Sequence, residues 1–200
     1  MLGAPGTTFK EVSLVGHLRA GRSSRPAPIR LLPMEVVIRR ARTGDARAIR
    51  RLIDLYSDDR RLLSKATVAI FESIQEFWVA VRTDTGAVVG CGALHVMWED
   101  LAEVRTVAVD PQLRGRKIGH QIVAALLATA RELGVRRVFC LTFETRFFGS
   151  FGFAEIDGAP VPHAVYEQLL RSYDEGVAEF LDLERVKPNT LGNTRMLLHL

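Results

Sequence analysis

Three cations and two glycines occupy six consecutive positions, Arg114-Gly115-Arg116-Lys117-Ile118-Gly119. Cations at that density suit an anion, and glycines let a ligand come close to the backbone. From Ile118 onward, Ile118, Ile122, Leu126, Ala130 and Leu133 recur every three or four positions up to Gly134, the spacing of an amphipathic helix with a glycine stop. The loop therefore meets a helix N-terminus, whose unpaired N–H groups and roughly half a positive charge make an anion site. The chemistry that fits is the binding of a pyrophosphate. Neither the G-x-x-x-x-G-K-[ST] phosphate loop nor the G-x-G-x-x-G dinucleotide fingerprint is present. The same residues also suit a solvated basic turn capping a surface helix, so the flanking elements have to decide.

Those elements alternate. The β-branched run "EVRTVAVD" ends at Asp110-Pro111 just before the loop. Upstream, "VVIRRA" predicts a strand, and "TGDARAIRRLIDLY" predicts a helix capped by Thr43 or Asp45 with Ile49, Leu52, Ile53 and Tyr56 on one face. "SKATVAIFESIQE" predicts a second helix through Val68, Phe71, Ile74 and Gln75. "FWVAVRT" and "AVVGCGALHVMW" predict a hairpin turning at Asp84-Thr85-Gly86. Downstream, "RRVFCLTF" reads as a strand buried on both faces, followed by the short "ETRFFGSFGF", a helix over "HAVYEQLLRSYDEG" and a last strand "TRMLLHL". Strands and helices so interleaved specify an α/β fold with a mixed sheet.

Composition bounds the function classes. Two hundred residues, 48% hydrophobic and 25% charged, suit one globular domain, and no apolar run reaches the roughly 20 residues of a membrane span. The Gly-, Pro- and Arg-rich stretch "LRAGRSSRPAPIRLLP" marks residues 1–35 as an expected flexible basic extension, with the folded domain over 36–200. Lys10, Arg19, Arg22, Arg25 and Arg30 against Glu11 alone account for the whole net charge of +4. The remainder is neutral, which argues against nucleic acid or anionic membrane as a partner. Met34, just before the first strand, is the expected start of translation. Cys91 and Cys140 lie in apolar runs and read as buried free thiols, pointing to the cytoplasm. His17, His95, His120, His163 and His199 show no metal-ligand spacing, so no metal is expected.

With these elements in place, "VAVDPQLRGRKIGHQIVAALL" resembles the acetyl-coenzyme A motif of the GNAT acetyltransferase superfamily. "RFFGSFGFAEID" is similar to the family's F-Y-x-x-x-G-F segment, with Phe147, Phe148, Gly152 and Phe153 in place. Lys117 stands where the family's first motif glycine falls; main-chain coordination tolerates a lysine there if its φ is negative. Phe148 replaces the tyrosine that often serves as general acid. "VVGCGALH", "RRVFCLTFET" and "KPNTLGNTRMLLHL" sharpen the resemblance to the short bacterial amino-acid N-acetyltransferases, the N-acetylglutamate synthases without an amino-acid-kinase domain.

The resemblance implies a GNAT-like central mixed, mostly antiparallel twisted sheet flanked by helices, and acetyl-CoA as co-substrate. It implies acetyl transfer to the α-amino group of an amino acid, glutamate first, with glutamine or a peptide amine, or a silent coenzyme-binding domain, as alternatives. The coenzyme would contact Val107, Ala108, Val109, Arg114, Gly115, Arg116, Lys117, Ile118, Gly119 and His120. A backbone N–H within Thr106 to Val109 would hold the oxyanion. Glu103 is the first candidate base and Glu144 the second, both expected at strand ends. Lys65, Arg105, Thr194 and Arg195 are the candidates for holding the acceptor's carboxylates. A homodimer is compatible with all of this.

Overall fold

The computed structural model describes residues 35–57, 66–190 and 192–200. The expected extension, apart from Glu35, and Lys65 lie outside them. Seven strands form one sheet: β1 (Val36–Arg40), β2 (Phe77–Arg82), β3 (Val88–Trp98), β4 (Leu101–Val109), β5 (Arg137–Thr142), β6 (Ala154–Glu155) and β7 (Thr194–His199). Their spatial order is β1-β2-β3-β4-β5-β7-β6. Every pair is antiparallel except β4 with β5. The helices are α1 (Ala46–Ser57), α2 (Thr67–Glu72), α3 (Ile118–Glu132), α4 (Thr145–Gly149), α5 (His163–Leu169), α6 (Glu175–Phe180) and α7 (Lys187–Thr190). This is the mixed, mostly antiparallel α/β architecture that the resemblance implied.

Two faces of the sheet are covered because its strands alternate. Ala102, Val104, Val138, Cys140, Met196 and Leu198 pack with Ile118, Ile122 and Leu126 of α3. Opposite them, Ile49 and Ile53 of α1 and Ile70 of α2 cover Val79, Cys91, Ala93 and Ala108. Farther along the same face, Leu169 of α5 and Val177 and Phe180 of α6 cover Leu101, Phe139 and Leu197. Each valine, leucine, isoleucine, phenylalanine or methionine among them contributes about 1.5–3 kcal/mol of apolar burial.

The helix α3 lies unusually close to β3. A Cβ on Gly90 would sit 2.8 Å from Ile122 Cδ1, and one on Gly92 would sit 2.8 Å from Ile122 Cγ2. Cys91 pairs with Ala108 and Ala93 with Arg105, so Gly92 alone opposes both Thr106 and Val107. That is a β-bulge, and it shifts the alternation of β4 by one. Val104 faces α3 before it, and Val107 and Val109 face α3 after it.

Three expectations change. In α2 the buried residue is Ile70, whereas Val68 and Phe71 are exposed. The first helix starts at a 3-10 turn where Asp45 accepts the Arg42 N–H at 2.8 Å, so Asp45 is the capping side chain and Thr43 is not. The single helix over residues 163–176 is two, because Asp174 caps a new one through the Val177 N–H. Replacing Gly92 with alanine is expected to destabilise the fold by about 1–3 kcal/mol through overpacking against Ile122 and Leu126. Urea unfolding measures this, and a variant as stable as the parent would mean that α3 can move away freely.

Candidate active site

The parallel ladder between β4 and β5 contains only Leu101–Arg137, Ala102–Val138 and Glu103–Phe139. Beyond Glu103 the strands diverge, while β5 stays paired with β7 up to Thr142–Thr194. The divergence opens a cavity of about 440 Å³. One wall is Val104 to Val107 with Val109, the other Leu141 to Glu144, and Phe147 and Phe148 of α4 close one side. Arg114, Gly115 and Gly119 form the end nearest α3. On the described residues alone, the anion loop, the bulge and the end of β5 meet in one place.

The loop is built from backbone that few residues adopt. Gly115 has φ +80°, and Lys117, the N-cap of α3, has φ +58°. The negative φ expected at Lys117 is therefore wrong: this lysine holds the left-handed conformation that suits glycine, at a cost of about 1–2 kcal/mol. A Cβ on Gly119 would lie 3.4 Å from the Phe147 ring, so anything larger than alanine projects into the cavity. The Ile118 side chain is core, 2% exposed, and Ala108 packs toward α1, which leaves both only backbone groups to offer a ligand. Arg116 lines a separate cavity of about 280 Å³ with Glu35, Thr83 and Gln121. His120 stands edge-on to Phe147 at 4.8 Å between ring centroids and tilted on Phe151 at 5.2 Å.

The carboxylates differ from expectation. Glu103 is not at a strand end: it is inside the ladder, opposite His95 and Phe139, and 3% exposed. A Cβ on Gly176 would come within 2.1 Å of its Oε2, so α6 packs directly on it and shuts it off from the cavity. Glu144, two residues past β5, is exposed and lines the cavity.

Arg105 does line the cavity, but it is already engaged. Its Nη1 donates to Asp174 Oδ2 at 2.9 Å, its Nη2 donates to Glu76 Oε2 at 3.0 Å, and Glu103 Oε2 is 3.7 Å away. His95 Nδ1 is 2.8 Å from Glu76 Oε1. Burial raises the Asp174 carboxyl, but the charge and hydrogen bonds of Arg105 outweigh it and hold the group below its ordinary range. Burial likewise raises Glu76, and the His95 hydrogen bond with the Arg105 charge takes it below. Burial lowers the Arg105 guanidinium, and Glu103, Asp174 and Glu76 more than restore it. Three carboxyl groups thus surround a single guanidinium.

Arg195 is not brought to the cavity. Its guanidinium donates to the Glu179 and Phe180 carbonyls at the end of α6 and to Gly158 O at 2.9 Å, above the Phe139 ring. The reason is register: Arg195 faces the α6 side opposite Leu141, where the carbonyls at the C-terminal end of α6 attract a cation. Thr194 pairs with Thr142 at the sheet end. Sequence reasoning missed Glu76 and Asp174, which carry no motif, and Tyr56, whose hydroxyl donates to Val109 O beside the cavity. Cys91 and Cys140 are free and fully buried, and burial pushes the Cys91 thiol up to about 12. Among the described residues no group of three or more His, Cys, Asp or Glu is arranged for a metal, and no helix is long and apolar enough to cross a membrane.

A model of the acetyltransferase (GNAT) family matches residues 47–155. A curated amino-acid acetyltransferase of Mycobacterium tuberculosis is 60% identical over 81% of this chain and 93% of its own length. A Mycobacterium tuberculosis structure in complex with CoA and NLQ superposes with TM-score 0.80 and 59% identity, covering 82% of this chain and 99% of that one. The Neisseria gonorrhoeae N-acetylglutamate synthase, complexed with coenzyme A and N-acetyl-glutamate, shares the fold at TM-score 0.67 and 24% identity over 83% of this chain and 35% of its own.

The Arg105 cluster sets an acid limit. Carboxyls held below their ordinary values stabilise the fold fully above about pH 4 to 4.5 and lose that contribution as pH falls through their folded values. Asp174→Asn keeps a good cap but loses the charge. Between pH 7 and pH 3 the parent is expected to lose more unfolding free energy than Asp174→Asn; equal losses in chemical denaturation would remove Asp174 from the acid response.

Proposed function

This chain belongs to the acetyltransferase (GNAT) family, and from that premise we propose that it acetylates the α-amino group of an amino acid. L-glutamate is the leading acceptor, which would place the reaction at the opening of arginine biosynthesis in the cytoplasm. One observation carries the reading: the opening between β4 and β5 connects a backbone-rich anion loop at one end to the Arg105 cluster at the other.

The coenzyme fits the loop end. The first turn of α3 offers free N–H groups, Gly115 and Gly119 keep that backbone uncovered, and Arg114 adds charge. Acetyl-CoA supplies a thioester, an acyl donor with a good leaving group. The protein's own tasks are then to polarise the carbonyl, orient the amine and take its proton. Past Glu103, the edge of β4 that faces β5 is released from its ladder, which suits its N–H groups to the carbonyl oxygen. Of the two carboxylates considered as base, Glu144 lines the cavity and Glu103 does not, so Glu144 takes that role. The amine's positive charge is drawn to the carboxylate-rich Arg105 cluster.

That same cluster favours a second reading. Arg105 is shared among three carboxylates, so an acceptor with an uncharged side chain, such as glutamine, meets less repulsion than glutamate. The test is free-thiol release from acetyl-CoA with glutamate, glutamine, other amino acids and peptides. Turnover confined to peptide or protein amines would overturn both versions. With the best acceptor, Glu144→Gln is expected to lower kcat by about a hundredfold or more while KM for acetyl-CoA is kept; an unchanged kcat would remove Glu144 as base.

A further inference from the structure

The bulge in β4 carries a threonine where a glycine would be at ease. Thr106 has φ +58°, a conformation rare for a β-branched residue. Such outliers persist where the surroundings over-determine them, and they cluster at functional sites. Thr106 is 8% exposed and lines the cavity, and its hydroxyl has no hydrogen-bond partner among the described residues, yet it is not one of the polar atoms sealed from solvent. A hydroxyl with no protein partner that opens onto a ligand cavity points to a group that the ligand brings.

Its position narrows which group. Thr106 and Val107 together oppose Gly92, whose open face meets Ile122 and Leu126 of α3. That is the side of the anion loop and of Phe148, while Arg105 lies across the sheet from it. Phe148 is 6% exposed and packs edge-on to Phe147 and Phe153, so it offers no proton at the position where the family often has a tyrosine.

We propose that the Thr106 hydroxyl donates a hydrogen bond to the coenzyme A sulfur as the thioester breaks, making Thr106 a catalytic residue. This rests on the reading that coenzyme A occupies the cavity between β4 and β5. In the step, the amine lone pair forms the C–N bond to the acetyl carbon, and the C–S bond breaks with its electron pair kept on sulfur. The amine's proton goes to the base. Thr106 keeps its own proton and stabilises the thiolate, which is later protonated from solvent. The carbonyl oxygen is served separately by backbone N–H groups.

Thr106→Val removes the hydroxyl while keeping shape and β-branching, and Thr106→Ser keeps the hydroxyl. Thr106→Ala supplies the same comparison if the valine variant does not fold. Thiolate absorbance of bound coenzyme A, followed against pH, reports the sulfur directly. The thiolate is expected to appear about one pH unit lower in the parent and Thr106→Ser than in Thr106→Val. In turnover, kcat is expected to fall about tenfold or more in Thr106→Val, with KM for acetyl-CoA nearly unchanged, and to recover in Thr106→Ser. Identical thiol titrations in parent and Thr106→Val, or a serine variant as slow as the valine one, overturn the proposal while the coenzyme site stands. A parent protein that binds no coenzyme A in calorimetry overturns both together.

Discussion

A β-strand has two hydrogen-bonding edges, and β4 uses its second edge for only three residues. Everything chemical in this molecule follows from where that pairing stops. Had β5 continued alongside β4 to Val109, the cavity would be a filled ladder and the anion loop would face nothing. The two strands diverge because each is committed elsewhere: β5 stays in register with β7 over six pairs, and β4 stays with β3 through the bulge opposite Gly92. The bulge also changes which side chains face α3, so that Val107 and Val109 pack there with Val104 despite the odd spacing. Glycines at 90 and 92 let α3 sit close enough to hold this arrangement from behind.

The second organising element is a buried charge cluster. Arg105 is surrounded by Glu76, Glu103 and Asp174, so that the cluster draws on three different parts of the chain. Buried ions are tolerated when paired and hydrogen-bonded; Glu76 and Asp174 are hydrogen-bonded to Arg105, and Glu103 meets it as an ion pair at 3.7 Å. Asp174 illustrates the economy of the design, since the carboxylate that answers Arg105 also caps α6. Gly176 is small so that α6 can rest on Glu103. The cluster therefore sets three carboxyl groups around the guanidinium that lines the cavity.

The loop before α3 concentrates backbone strain at one end of the cavity. Gly115 and Lys117 both hold positive φ, which turns successive backbone groups toward one end of the cavity. A lysine in that conformation is less comfortable than glycine, yet its side chain adds a cation beside an anion site. Thr106 is the corresponding strained position on the strand. Thr106 lines the cavity itself, and Lys117 lies between Gly115 and Gly119, which line its end nearest α3.

Much of this was legible from residue order alone. The period of Ile118, Ile122 and Leu126 specified α3, the apolar run after Arg136 specified β5, and Asp84-Thr85-Gly86 specified the hairpin, because these signals are local. The glycines and cations of residues 114–119 identified the anion loop for the same reason. Other assignments depended on distance in space. Glu103 and Glu144 look alike in sequence, and only the end of the β4–β5 ladder separates a buried ion-pair member from a cavity residue. Arg195 carries the right charge for a carboxylate, but sheet register turns it onto the carbonyls of α6. Glu76 and Asp174, 98 positions apart in numbering, became partners of one guanidinium only on folding. Composition and local spacing determined the elements and the anion loop; which charges meet, and which face the cavity, was decided by strand pairing, because a one-residue shift in register sends a side chain to the opposite face of the sheet.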